Sequence, residues 1–483
     1  MKKRLFRILL AATVTASVLV GCGGGETKTN TPTGGAAPPA EGGQTAAPAE
    51  NLAASGDKIV INYWTEDRHD MGYFEEKIKE FNEMNDQNIE IVLTTITEDY
   101  PNMLAMSYSS GNAPDIAGIA GATTGFSLKT FAEAEIIAPV NDYIKDEEFE
   151  KVTEASTQIV EGMNAIDGNV YWIPTAVRSG SRIIYNKSIL DEAGVTEYPK
   201  TVQELVDLSK LITEKGAGQF YGMGVTSSSP LVRWMEGSAE MSGIYRYDYE
   251  NGKFNFDGYK DIITTANQLF TDNSIFPGSA TQGVDAMRAQ FTEGTFGIWA
   301  NASQEAGVFT DQFPITKFDW VVEELPTMDG EVKGTLNLMT QKGYLLFSSC
   351  PNKDAAWEVI KFFSSEDFLK GYLEGGYALP VSSYMTERVD STRTGRLADF
   401  ALKNYEGVYP SIPAITVEGD DYKAVLWSAA KGEIGVDEAI ADLNTRYNQA
   451  LDTDVSMGKV KRVIIKNFDP LHPNDGTVEY LDK

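Results

Sequence analysis

Ile59-Val60-Ile61-Asn62-Tyr63-Trp64 is β-branched and aromatic along its length, which predicts a strand. Phe74, Ile78 and Phe81 recur at i, i+4 and i+7 and predict an amphipathic helix after it. Ile89-Glu90-Ile91-Val92-Leu93 predicts a second strand. Pro101 opens a short helix that runs through Tyr108 and closes near Gly111, and Asp115-Ile116-Ala117-Gly118-Ile119 predicts a third strand. Strand, helix, strand, helix, strand implies parallel pairing through right-handed crossovers. Ligands on such sheets sit beyond the carboxyl ends of the strands. That directs attention to Trp64-Thr65-Glu66-Asp67 and to Ala120-Gly121-Ala122-Thr123-Thr124.

The pattern resumes downstream. Arg182-Ile183-Ile184-Tyr185 reads as a strand. Thr201 and Glu204 form a capping box ahead of Val202, Leu205, Val206 and Ile212. Tyr247 to Phe256 alternates around Asn251-Gly252, a hairpin signal. Ala356, Val359, Ile360 and Phe363 make one helix face, and Ile440, Leu443 and Tyr447 another. Val460 to Lys466 reads as a strand or clasp. No repeat of solenoid length is visible. The fold class is α/β.

The N-terminus follows different rules. Lys2, Lys3, Arg4 and Arg7 precede an apolar run from Ile8 to Val20, too short to span a membrane but right for a secretory signal. It ends in Leu19-Val20-Gly21-Cys22, which resembles a bacterial lipobox. That implies a signal peptide over residues 1–21 and a Cys22 carrying a palmitate-type lipid; the alternative is a plain signal peptide with a chance cysteine. Gly23 to Gly56 is almost entirely small and polar, with Leu52 its one large apolar residue. Such a stretch buries too little to offset its ordering entropy. Residues 22–56 are therefore expected to be a disordered linker, reaching about 30 Å r.m.s. as a coil.

Composition narrows the function classes. The chain has 483 residues, 41 Lys+Arg against 70 Asp+Glu, and a formal net charge of -29. At about 150 residues per domain this is two or three domains. The acidic surface argues against nucleic acid and against charge-driven docking on an anionic membrane. With two cysteines in all, a lipidated Cys22 leaves Cys350 alone before Pro351, an inert thiol with no histidine near it in sequence. Neither HExxH, CxxC nor GxxxxGK[ST] occurs. No catalytic residue, metal or cofactor is expected.

Three stretches carry a resemblance. The first is Gly168-Asn169-Val170-Tyr171-Trp172-Ile173-Pro174 followed by Ile184-Tyr185-Asn186-Lys187 through Gly194-Val195, continued by Tyr198-Pro199-Lys200-Thr201 to Leu205. The others are Tyr377-Ala378-Leu379-Pro380-Val381 and Gly432-Glu433-Ile434-Gly435-Val436-Asp437-Glu438-Ala439. In this order, and behind a lipobox, they resemble the extracellular solute-binding lipoproteins of ABC importers, the group that includes maltose-binding protein, over roughly Ile59 to Leu451. By themselves the residues show only a strand leaving a sheet, a Leu-Pro turn and an amphipathic helix.

The resemblance implies a two-lobed, periplasmic-binding-protein-like fold with a hinge and an interlobe ligand cleft. Lobe one takes 57–174 plus 326–376 and lobe two 175–325 plus 377–453. The crossings fall near Pro174–Arg178, Pro326–Gly334 and Gly376–Pro380. Residues 454–483 are an extension past the usual family end. It also implies a monomeric receptor, lipid-anchored on the extracytoplasmic face of the cell membrane. Such a receptor delivers a carbohydrate, here an oligosaccharide, to the membrane subunits of an ABC importer by closing, without chemistry.

A sugar offers hydroxyls to carboxylates, amides and arginine, and C–H faces to aromatic rings. Trp64, Glu66 and Asp67 follow the first strand, where the family places solute contacts. Ala122 and Thr123 stand where maltose-type members carry polar contacts, which argues against a maltose-like ligand. Arg178, past the first crossing, is placed to bond solute or to lock the hinge. Trp234 and Glu236 resemble the aromatic segment of lobe two. Trp299, read as ending the Phe296-Gly297-Ile298 strand, is a candidate stacking platform, although the family's tryptophan comes later. Tyr377 lies at the last crossing, and Asp421 and Tyr422 align with another cleft aromatic. Trp172, Trp320, Trp357 and Trp427 are assigned to packing. Two alternatives stay open: a lipid-anchored glycoside hydrolase, which needs two carboxylates about 5–10 Å apart, and a receptor of the same fold for a peptide or metal complex.

Overall fold

The computed structural model describes residues 58–120, 126–227 and 230–482. Residues 1–21 and 22–56, read from the sequence as a signal peptide and a linker, lie outside them, as do Ala122 and Thr123. Strand β1 (Ile59–Thr65), helix α1 (Met71–Met84), strand β2 (Ile89–Thr95), helix α2 (Tyr100–Ser110) and strand β3 (Ile116–Ile119) follow in the order the hydrophobic pattern predicts. β1 pairs in parallel with β2, Ile61 opposite Ile91, and with β3, Tyr63 opposite Ile116. Pro101 sits in the first turn of α2. Gly111, at φ 77°, closes that helix in the left-handed conformation that glycine adopts without steric cost.

The chain then passes through β4 (Ala176–Arg178), β5 (Arg182–Asn186), α3 (Val202–Gly216), β6 (Tyr221–Gly224) and α4 (Met235–Met241). The capping box is formed: Glu204 N–H donates to Thr201 Oγ1 at 3.2 Å, and Thr201 N–H donates to the Glu204 carboxylate at 3.0 Å. The hairpin is β7 (Tyr247–Asp248) and β8 (Lys253–Phe254), followed by α5 (Tyr259–Thr271), β9 (Phe296–Asn301) and β10 (Trp320–Glu323). β11 (Met339–Leu346), α6 (Lys353–Phe363), α7 (Glu366–Glu374), β12 (Leu379–Pro380), α8 (Tyr422–Ala430) and α9 (Val436–Ser456) complete the body. A last hairpin joins β13 (Arg462–Lys466) to β14 (Thr477–Leu481).

Two sheets organise residues 56–483, which form one compact unit. The first has the order β12-β4-β11-β3-β1-β2, and the second β10-β5-β9-β6. Each has its own core. Ile61, Tyr63, Phe74, Tyr344 and Phe363 fill one, and Ile183, Leu205, Met223, Ile298 and Leu443 the other. Trp172, read as a packing residue, closes the far face of the first sheet against Gly343, where an added Cβ would lie 2.1 Å from the ring.

The chain changes sheets between β4 and β5. It does so again after β10, but later than the Pro326–Gly334 stretch read from the sequence. Thr327 N–H donates to Lys200 C=O and Lys333 N–H to Met241 C=O, which hold that stretch against second-sheet elements. The first sheet is rejoined at Met339, opposite Arg178. Trp299 also departs from its reading: β9 continues through it to Asn301. β9 lies between β5 and β6 with all six residues buried, so no boundary shows in its apolar pattern.

The extension past residue 453 is part of the second core. Val463 and Ile465 are buried in it, Tyr247 donates its hydroxyl to Val463 C=O at 3.0 Å, and Ile465 N–H donates to Tyr249 C=O at 2.8 Å. Thr335 N–H bonds Pro470 C=O at 2.8 Å, and the Tyr480 hydroxyl reaches Glu161 at 3.3 Å. Among the described residues no helix is long and apolar enough to cross a membrane.

Candidate functional site

At the carboxyl edge of the first sheet, the turn after β1 carries Glu66 and Asp67 and leads to Asp70 at the start of α1. β11 runs antiparallel to β3, which brings Lys342 to this edge. Its ammonium, 3% exposed, lies 2.8 Å from Asp70 and bonds Asp67 as well. The Tyr372 hydroxyl donates to Asp70 at 2.8 Å. Burial alone would raise the Asp67 pKa, but His69 and Lys342 hold it well below the usual carboxylate range. Burial works against the charge on Lys342, yet Asp67 and Asp70 raise its pKa on balance. Asp67, His69 and Asp70 present donor atoms within 4.8 Å of one another. A cation could sit there only by displacing the Lys342 ammonium, so the lysine supplies the counter-charge this donor set needs.

Trp64, Glu66 and Tyr377 are half-buried around this edge. The Trp64 carbonyl accepts from the Tyr100 hydroxyl at 2.9 Å. The Tyr377 ring stacks on Tyr372 at 5.2 Å and lies 6.4 Å from His69. The structure thus brings Trp64, Glu66, Asp67 and Tyr377 into one neighbourhood.

β6 and β9 are parallel, Trp299 opposite Gly224, so their carboxyl ends lie side by side. Asn301, the last residue of β9, is fully buried and divides its amide. Its Oδ1 accepts from Arg233 Nη1 at 2.6 Å, and its Nδ2 donates to Glu305 at 2.7 Å. Glu305, also fully buried, accepts from Arg288 Nη2 at 2.6 Å and Nε at 3.2 Å. Arg178 ends β4 close by, because Ser179 N–H donates to Ser303 Oγ at 3.2 Å in the turn after β9. Among the described residues the half-exposed Arg178 side chain has no hydrogen-bond or ion-pair partner. Burial lowers the Arg233 pKa; Glu305 opposes the fall, and Arg288 and Arg178 add to it.

The aromatic candidates of this half are placed differently. Trp234 and Trp299 are 1% and 2% exposed. Trp299 stacks on Phe291 at 6.4 Å inside the core of the second sheet's outer face. With Thr226 and Arg233 the two rings line a recess of only about 10 Å³, so neither offers an open face.

A cavity of about 340 Å³ takes Met163 from the first half and Glu240, Tyr245, Arg246, Asn337 and Tyr409 among its other walls. Behind it Glu236 accepts from Arg246 at 2.6 Å and from the Tyr422 hydroxyl at 2.7 Å, with the Arg246 guanidinium 4.8 Å from the Tyr422 ring centre. Burial and the nearby Glu236 push the Glu240 carboxyl up to about 8. Asp421 caps α8, accepting from Ala424 N–H at 2.9 Å. Glu236 and Tyr422 are therefore brought together, but as a buried pair behind the cavity wall.

Sequence reading missed Lys342, Arg233, Asn301 and Glu305. Lys342 is the one charge of the strand Met339–Leu346, which is buried from Thr340 on, but Thr340 and Gln341 before it mask that burial in the sequence. Asn301 and Glu305 are neighbours four residues apart, whereas Arg233 reaches Asn301 from 68 residues earlier in the chain.

The sequence profile described as "Bacterial extracellular solute-binding protein" matches residues 65–370. The maltotriose-binding protein of Pyrococcus abyssi is 25% identical over 379 residues, 77% of this chain and 74% of its own. A Brucella abortus binding protein is 23% identical over 267 residues, 53% of this chain. That match spans 60% of the relative's length. Among solved structures, the ABC substrate-binding protein of Listeria monocytogenes in complex with cycloalternan superposes with a TM-score of 0.62 at 18% identity. The alignment covers 82% of this chain and 100% of that one, a likeness of fold.

Proposed function

The chain belongs to the bacterial extracellular solute-binding protein family, and on that premise we propose that it is a lipid-anchored receptor for a carbohydrate, an oligosaccharide, which it passes to an ABC importer. The observation that carries this reading is the stretch Arg178-Ser179, to which the carboxyl edges of both sheets are tied. Glu66, Asp67 and Lys342 belong to the first sheet, and Arg233 and Asn301 to the second. Arg178 joins them, since β4 is paired in the first sheet while Ser179 bonds the turn after β9. Carboxylates, an amide and guanidiniums are the groups that meet sugar hydroxyls. Relatives and structural neighbours named for saccharides support the choice of solute.

A solute that touches both edges favours the closed arrangement, so closure is a population shift rather than a chemical step. The family is one of solute receptors, not of enzymes. The N-terminal sequence supplies the anchor of this reading, and the polar linker the reach between membrane and body.

The test is titration of intrinsic tryptophan fluorescence with a panel of mono- and oligosaccharides, repeated as a thermal-shift assay. A saturable signal with at least one saccharide is expected. Silence in both assays across the panel rejects the carbohydrate.

A further inference from the structure

The chain carries a formal net charge of -29, yet arginines gather where the end of β4 is tied to the turn after β9. Three guanidiniums, those of Arg178, Arg233 and Arg288, stand against two carboxylates, the buried Glu305 and the exposed Asp285, and both of these bond Arg288. Arg288 and Glu305 satisfy each other through two nitrogens. Arg233 donates one N–H to the neutral Asn301 amide. Arg178 bonds nothing among the described residues. Like charges drawn partly out of water and set against neutral acceptors repel one another, and a bound anion relieves that repulsion. A guanidinium also offers paired N–H donors whose spacing fits the two oxygens of a carboxylate.

The carboxyl edge of the first sheet has the reverse character. Glu66 and Asp67 are acceptors, suited to hydroxyl donors and repulsive to a second anion. The two edges therefore define one orientation for a guest that has hydroxyls at one end and a carboxylate at the other.

We infer that the solute is an acidic saccharide, its uronate carboxylate held between Arg178 and Arg233 and its hydroxyls turned toward Glu66 and Asp67. This rests on the sugar-receptor reading above and specifies its solute. The role given to Arg178 is direct contact with that carboxylate.

Calorimetric titration of the full chain at pH 7 tests the inference. The probes are oligogalacturonides and glucuronate-bearing xylo-oligosaccharides, each with its methyl ester, and neutral maltotriose and xylotriose. At least one uronide is expected to bind about tenfold or more tightly than its own methyl ester. Arg178→Met should abolish that difference and Arg178→Lys should keep part of it, both with the melting temperature of the parent. The wild-type comparison of acid with ester stands even if Arg178→Met fails to fold. Neutral sugars or esters binding as tightly as the uronides would overturn the inference and leave the receptor reading intact. Absence of binding by every saccharide, acidic or neutral, would reject the receptor reading itself and the inference with it.

Discussion

The Tyr422 hydroxyl donates to the Glu236 carboxylate at 2.7 Å, joining residues 186 positions apart. The pair is buried, and Arg246 supplies the carboxylate's other donor. Tyr422→Phe leaves the ring packing in place and removes one hydrogen bond to a charged acceptor. It should cost about 1.5–3 kcal/mol in urea denaturation. An unchanged midpoint would mean that Arg246 alone satisfies Glu236.

Lys342 places one buried ammonium against two carboxylates, Asp67 and Asp70. Lys342→Met keeps the length of the side chain and strands both charges. Breaking a buried pair by removing one partner costs about 3–5 kcal/mol, so the variant should melt well below the parent. The double change Lys342→Met with Asp70→Asn should recover part of the loss. No recovery would show that the lysine acts through its ammonium over the Phe74 ring, 5.0 Å from the ring centre.

Glu240 gives the fold a dependence on pH. Its carboxyl, ordinarily near 4.5, is pushed up to about 8 by burial and by Glu236. The folded protein holds this proton to about pH 8 while the unfolded chain releases it near 4.5. Between those values the unfolded state binds fewer protons, and stability falls as pH rises. Glu240→Gln should flatten this part of the stability profile and raise the denaturation midpoint at pH 8 relative to the parent. A profile of unchanged slope in the variant would remove Glu240 as its source.

The C-terminal hairpin should be essential to the second core. Ile465 is 1% exposed, and its N–H donates to Tyr249 C=O. Ile465→Ala should cost about 2–5 kcal/mol, read by chemical denaturation. A loss below 1 kcal/mol would show the hairpin to be loosely attached.

Cys22 should carry the anchor. Cys22→Ser should move the protein from the membrane fraction to the medium or periplasm and abolish incorporation of an alkynyl palmitate. Retention of the variant at the membrane would reject lipidation at this residue.

Much of the fold was legible because local pattern and tertiary environment agree. β1 to β3 and their helices, the Thr201–Glu204 box and the Asn251-Gly252 hairpin each follow from spacing or turn chemistry within a few residues. Trp299 was misplaced at a strand end because β9 is buried on both faces, and a continuous apolar run has no internal mark of where it stops. The candidate site was legible where it follows a strand directly, as with Glu66 and Asp67. It was opaque where polar residues from separate segments meet through tertiary packing. Arg233 and Arg288 reach Asn301 and Glu305 from helices earlier in the chain, and no shared motif marks the four. Glu236 and Tyr422, read as separate solute contacts, hydrogen-bond each other, and the bond turns both away from open space.

β4 is hydrogen-bonded into one sheet, while the residue after it is tied to the turn beyond the other. On the reading proposed above, the backbone that presents Arg178 is also the joint between the halves. Substitutions there should accordingly be followed for their effect on closure as well as on affinity.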